Sequence, residues 1–384
     1  MMRNKNSLFT RVIGFVFLFL TLCWAAFANA QGAQSTGNEI DLTRVPNSVL
    51  TPEEVAEGWI SLFDGRSFFG WRGADKRGWQ VQASGLFIDQ PVTEMLRTAS
   101  QFDNFEMRFE YSSSAPFDVL LRTSPKPAAG DAVFVELPAS SEFTRVDLRL
   151  DEKELTVKVN DELLVRSNAI PVLKGYIGFD RRSGNLSIRQ LTLRPIFKNS
   201  HRLFDLEDWN VSEGSVMAVR QENESTFSIE GGPGYLESRQ AYRNFIFQMR
   251  GWIIAGGNSG VFFRCIPGEN MNGYESQIDH GVQDQEKLSP SNGGTGGVFR
   301  RKEARRIVGS DETWFTKTII AEGPHVAIWV NGYQVTDWTD RRRPNKNPRR
   351  GLKTAAGTLM LQGHDPETLT RFQSIQAREL NRRR

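Results

Sequence analysis

FTRVDLRLDEKELTVKVNDELL (143–164) places Val146, Leu148 and Leu150 on one side of an extended chain and Asp147 and Arg149 on the other. After an acidic turn, Leu155, Val157 and Val159 alternate with Thr156 and Lys158 in the same way. A period of two belongs to a strand with one dry and one wet face, so the stretch predicts a hairpin. Its echo is WFTKTIIAEGPHVAIWVNGYQV (314–335), where Asn331-Gly332 sits between apolar runs and supplies the positive φ values of a type I′ turn.

Other segments repeat in the same order. FDNFEMRFEY (102–111) answers YRNFIFQMRG (242–251), LSIRQLTL (186–193) resembles RFQSIQAREL (371–380), and LFD occurs ahead of a Trp at 62–64 and 203–205. A shared order of several segments reads as a tandem duplication, split near PIFKNSHR (195–202). No segment carries a sustained helical period. Many short strands with Gly-rich turns predict an all-β chain of two tandem jelly-roll sandwiches, over residues 58–197 and 201–384.

The chain opens with Arg3, Lys5 and Arg11, an apolar run VIGFVFLFLTLCWAAF (12–27), and ANA before Gln31. These are the parts of a cleavable export signal, residues 1–30, so a periplasmic or secreted protein is expected. Residues 31–57 read as a polar leader. The whole chain has 48 Lys and Arg against 45 Asp and Glu. Removing the three signal cations leaves no net charge, so no global charge argument for nucleic acid survives and no transmembrane span is expected in the mature chain. Cys265 is then the sole cysteine, and stability must come from burial.

NGYESQIDHGVQD (272–284) sets Glu275, Gln277 and Asp279 at alternate positions, followed by His280. Strand parity puts these three on one face with Tyr274 and Ile278 inward. The same parity in GTLMLQGHD (357–365) sends Met360, Gln362 and His364 outward. In GGNSGVFFRC (256–265) it sends Phe262 and Arg264 opposite to Val261 and Phe263, a guanidinium suited to carboxylate or sugar oxygens. A solvated strand face is the plain alternative. The first unit argues against it, because it keeps the apolar pattern and loses the polar set. PFDVLLR (116–122) retains Arg122 without Asn258-Ser259-Gly260, DAVFVEL (131–137) is mostly apolar, and alignment by eye sets Gln362 and His364 opposite Gly178 and Asp180.

Two further loops stand out. SNGGTGGVFRR (291–301) lacks the ending of a phosphate-binding loop and reads as a mobile loop over the sheet, a candidate lid. DRRRPNKNPRR (340–350) reads as a solvated loop between strands rather than a polyanion site. Asp279, His280 and Asp284 carry metal-donor atoms at an unspecific spacing, and no cofactor is predicted.

LFDGRSFFGW (62–71), GNSGVFFR (257–264), GYESQID (273–279), WVNGYQVTDW (329–338) and GTLMLQGHD followed by Arg371-Phe372 together resemble the 3-keto-disaccharide hydrolase domain. The resemblance implies a concanavalin A-like jelly roll and cleavage of glycosides oxidised to a ketone at carbon 3, with the first copy degenerate. It implies a small 3-keto sugar as substrate. Glu275 or His364 would act as base or acid with Asp365 orienting His364, while Asn258, Arg264, Gln277, Asp279, His280, Gln362 and Arg371 hold the sugar. A two-carboxylate glycosidase using Glu275 with Asp279, a carbohydrate-binding module and a structural envelope protein are the alternatives.

Overall fold

The computed structural model describes residues 49–380, except 74–77, 83–84, 91–94, 128–131, 171–173, 182, 199 and 204. The export signal and most of the leader therefore lie outside the described residues. The leader's end is not structureless. Thr51 and Glu54 cap each other's backbone at the start of a one-turn helix, Pro52–Ala56.

Apart from a 3-10 turn at Leu206–Asp208, the other regular elements among the described residues are strands. Four antiparallel sheets form two β-sandwiches, each an eight-stranded sheet facing a five-stranded one. In the second sandwich the large sheet runs Ala218–Asn223, Thr226–Glu230, Leu369–Glu379, Phe245–Ile253, Phe315–Glu322, His325–Val330, Tyr333–Thr339, with His201–Arg202 paired to Leu369–Glu379. Its small sheet runs Trp209–Val211, Gly234–Tyr242, Gly357–Gly363, Ser259–Cys265, Tyr274–Ile278. The strands from Ile60 to Pro195 follow an equivalent order, with Phe117–Thr123 in the place of Ser259–Cys265 and Val133–Leu137 at the edge. The duplication seen in sequence is thus a duplication of topology.

The hairpin expected over 143–164 forms, Ser140–Asp151 pairing with Glu154–Val159. Asn331 and Gly332 both have positive φ, 48° and 75°, as their turn requires. Val146, Leu148, Leu150, Leu155 and Val157 are all buried in the first core. In the second core Phe245, Phe247, Met249, Ile319 and Ile328 meet Val261, Phe263, Leu359 and Leu361 from the small sheet.

Part of the second large sheet is dry on its outer face as well. Ile246, Ile320, Ala327 and Trp329 point away from their own core and join the apolar cluster of the first sandwich. Trp329 Nε1 donates to Ser61 O, and Arg378 grips the buried Asp103 carboxylate through bonds of 2.6 and 2.7 Å. Burial of this kind is the main favourable term in association, while the bidentate pair fixes register.

Arg264 departs from its parity. It has φ 51°, at a bulge where the pairing with Gly357–Gly363 slips between Phe262 and Cys265. The bulge turns Cys265 to the outer face beside Phe262 and Met360 and drives the guanidinium to the rim of the core, 1% exposed. There it donates to Arg243 O, Gly323 O, Lys353 O and Asn244 Oδ1. Arg122 has φ 52° and bonds Asp103 O, Glu152 O and Asn104 Oδ1 in the same manner. Arg264 is therefore a clamp of the fold, present in both copies, and not a sugar ligand.

Replacing Arg264 by Met leaves several buried acceptors without donors, so urea unfolding should show a loss of about 3 kcal/mol or more. Arg371→Met, which removes a half-exposed ion pair with Glu222, should cost about 1 kcal/mol or less. The reverse ranking would refute the clamp.

Candidate functional site

The site is built on the outer face of the second small sheet. Phe262 lies between Glu275 and Met360 across the strands, and one step along Gly260 lies opposite Gln277. On its other side Val261 pairs with Leu361, which brings Gln362 alongside Gly260, and Ser259 Oγ donates to Gln362 O at 2.7 Å. Gly260 thus forms a side-chain-free floor between two glutamines. A Cβ there would stand 3.0 Å from Glu275 Oε1 and 3.1 Å from Phe262 Cε2. The glycine is what lets the carboxylate lean in.

These polar groups are not a wet strand face. Glu275 is 8% exposed, Gln277 1% and Gln362 8%. Gln277 Nε2 donates to Asn292 O, yet Gln277 Oε1 and Gln362 Oε1 are buried without a hydrogen-bond partner. Orphaned acceptors of this kind are costly in a fold and common where a ligand hydroxyl is meant to arrive.

Burial pushes Glu275 up to about 7, against the opposing pull of Arg349, His364, Lys317 and Arg300. Arg349 Nη2 is 3.8 Å from Glu275 Oε2, too long for a hydrogen bond. His364 extends past the end of Gly357–Gly363, on the parity of Met360 and Gln362, and is 43% exposed. Its Nδ1 lies 2.8 Å from Asp365 Oδ2. The Asp365 carboxyl is held below its usual range: burial works against this, and bonds from His364 and Thr368 outweigh it.

Other expected ligands are engaged elsewhere. Asp279 accepts from Gly281 N and Asn292 Nδ2, so it ties down the following loop and is no second carboxylate for Glu275. His280 turns to the sandwich edge, bonded to Asp311 through Nδ1 and set edge-on against Phe315, with Gly309 closing over its Nε2. Arg371 lies on the outer face of the large sheet over Trp252, on the far side of the core. Asn258 is half-buried in the turn before Ser259, its carbonyl accepting from Thr368. Among the described residues no three His, Cys, Asp or Glu side chains gather as a metal ion needs. Asp284 does not join Asp279 and His280 in such a group.

The glycine-rich loop differs from expectation, while the arginine-rich loop is largely exposed between two strands as expected. Residues 295–299 bond along the exposed edge of Tyr274–Ile278, Gln277 N to Gly297 O, Gly296 N to Gln277 O and Phe299 N to Glu275 O. This seals a sheet edge instead of forming a mobile lid. Gly296, at φ 87°, leaves no room for a Cβ beside Val335. The arginine-rich loop folds back on the same strand: Asp340 receives Tyr274 Oη and Arg342, and Arg349 Nε donates to Met271 O. Arg349 and Arg300 are site residues that strand parity could not reveal, since loops bring them there.

Lys317 was also invisible to it. This lysine is fully buried in the core, its Nζ donating to Ser276 O and Gln277 O beneath the site strand. Burial holds its pKa well below the ordinary value, with Glu275 opposing. Matching Leu150–Phe105 to Ala321–Phe245 puts Val146 in its place in the first copy. The same registers set Met360 against Gly178 and Gln362 against Asp180, two residues from the alignment by eye. Glu275 corresponds to Phe134 and Gly260 to Asp118. Met95 covers Gly178, where a Cβ would lie 2.3 Å from its sulfur, so the first copy has neither the glycine floor nor the carboxylate.

A structure described as a "putative glycosyl hydrolase" from Parabacteroides distasonis is 22% identical, covers 48% of this chain and 100% of its own, and superposes with TM-score 0.39. Another of the same description and organism is 14% identical over 86% of this chain and 98% of its own, with TM-score 0.26. The carbohydrate-binding module CBM66 from Bacillus subtilis is 10% identical over 33% of this chain and 95% of its own, with TM-score 0.29. No curated protein matches the sequence. The model of the 3-keto-alpha-glucoside-1,2-lyase-like domain matches residues 58–137 and 199–378. That is more than half the chain, and the match stops at Leu137 in the first sandwich while spanning nearly all of the second. The chain therefore belongs to the 3-keto-alpha-glucoside-1,2-lyase-like, or 3-keto-disaccharide hydrolase, domain family.

Proposed function

We propose that the chain is an exported enzyme that cleaves glycosides whose sugar carries a ketone at carbon 3, using the outer face of the second sandwich. The observation that carries this reading is Glu275: a nearly buried carboxyl pushed up to about 7, leaning over a glycine floor between two amide oxygens that lack partners. Family membership supplies the substrate class.

The chemistry suits one tuned base. The ketone acidifies the hydrogen on C2, and the glycosidic oxygen on C1 lies β to the carbonyl. Glu275 takes the C2 proton, the C2 electron pair forms the C1–C2 double bond, and the C1–O bond breaks with its electrons on the departing oxygen. That oxygen gains a proton, supplied by the exposed His364, which is bonded to Asp365 at the rim. Water then adds across the double bond, so the net reaction is hydrolysis. Gln277 and Gln362 accept hydrogen bonds from sugar hydroxyls. A base with a pKa near the working pH gives the best product of ionised fraction and basicity.

Turnover of a 3-keto-disaccharide, but not of its unoxidised parent, tests the reading through released monosaccharide. Binding of both without turnover would instead make the chain a sugar-binding module. Glu275→Gln should lower kcat by about a hundredfold or more, and Gln277→Leu or Gln362→Leu should chiefly raise KM.

The pH profile follows from the same carboxyl. The base form is needed, so kcat/KM should rise with pH and level off above about 7. Stability has the opposite slope. The folded pKa lies above the unfolded one, so the native state binds the extra proton and loses stability as pH rises from about 4.5 through 7. Glu275→Gln should therefore stabilise the protein at pH 8, by at most ~3 kcal/mol, and have little effect at pH 4. Equal effects at both pH values would contradict the buried carboxyl.

A further inference from the structure

Glu275 divides two spaces. Its Oε1 faces the floor at Gly260, and its Oε2 faces Arg349. On the Arg349 side is a cleft of about 140 Å³ bounded by Gly273, Glu275, Phe299, Arg300, Arg301 and Arg349. Three arginines therefore border one small space whose single carboxyl is Glu275.

Among the described residues, none of the three is neutralised by an acid within hydrogen-bond reach. Arg301 donates to Arg300 O and Arg349 O, and Arg349 Nε to Met271 O, all backbone carbonyls. Arg300 lies against the ring of its neighbour Phe299. Among the described residues, the nearest approach of a carboxylate to any of them is the 3.8 Å between Arg349 and Glu275. Arg301 is held below the usual arginine range by burial and by crowding from Arg342 and Arg349, with Asp340 opposing. The nearby Asp340 is consumed by Arg342 and Tyr274. Such a cluster keeps an unmet positive potential, and planar forked donors match a carboxylate.

We propose that this cleft is the leaving-group subsite and that it takes a carboxylate-bearing partner, so that the preferred substrate is a keto-glycoside with an acidic aglycone, such as a uronic acid. The assignment of sides rests on the keto-glycoside reading of Glu275. The binding itself does not. An anion here also disfavours ionisation of Glu275, so occupancy and the proton on Glu275 favour each other.

Calorimetric titration of the full chain with glucuronate and with glucose tests this at low salt without any turnover. Glucuronate should bind at least about tenfold more tightly, as one or two charge-assisted contacts imply, and more tightly at pH 6 than at pH 8. Arg300→Gln with Arg301→Gln should reduce that preference to threefold or less, and Arg349→Gln alone should weaken it. Arg220→Gln, in an exposed pair with Glu230 on the other sheet, should leave it intact. Equal binding of both sugars, no measurable binding of glucuronate, or a preference that survives the double substitution would each overturn the subsite. A keto-disaccharide assay on the same protein reports separately on the family reading, so failure of one is distinguishable from failure of the other.

Discussion

A carboxyl held out of water with no cation in hydrogen-bond contact is the constraint around which the second sandwich is arranged. Glu275 keeps its position because Gly260 gives it room, Phe262 and Met360 dry the surface beneath it, and the neighbouring loops close the edge of its strand. Each of these would be unremarkable alone. Together they raise the group's pKa to about 7, so that it is about half ionised at neutral pH, where proton transfer in either direction is cheap.

The duplication provides an internal control on what the fold itself requires. Both copies keep the sheet order, the alternating core and the positive-φ arginine that closes the end of the sandwich. Only the second exchanges a core valine for Lys317, an edge phenylalanine for Glu275 and an aspartate for Gly260. The first sandwich instead backs the large sheet of the second, where Trp329, Ile246 and Ile320 are buried against it.

Lys317 joins the two layers. Its amine crosses the core to the carbonyls of Ser276 and Gln277, linking the large sheet to the backbone that carries Glu275 and Gln277. A buried lysine is expensive and survives only when its donors are used. Its presence in one copy alone ties the expense to the site rather than to the fold.

Alternation of side chains along a strand made the sandwiches, the repeat, and the shared face of Glu275, Gln277 and Gln362 legible in the sequence, because period two needs only local geometry. That same rule misplaced Arg264, since one residue in the left-handed region reverses parity and a sequence does not mark such a bulge. It placed Asp279 on the right strand end but could not say that its carboxylate would be taken by Gly281 and Asn292. Which sheet carried Arg371, and which loop returned to deliver Arg300 and Arg349, depended on pairings between segments far apart in the chain. Distance along the sequence holds no record of those meetings; only the packed layers decided them.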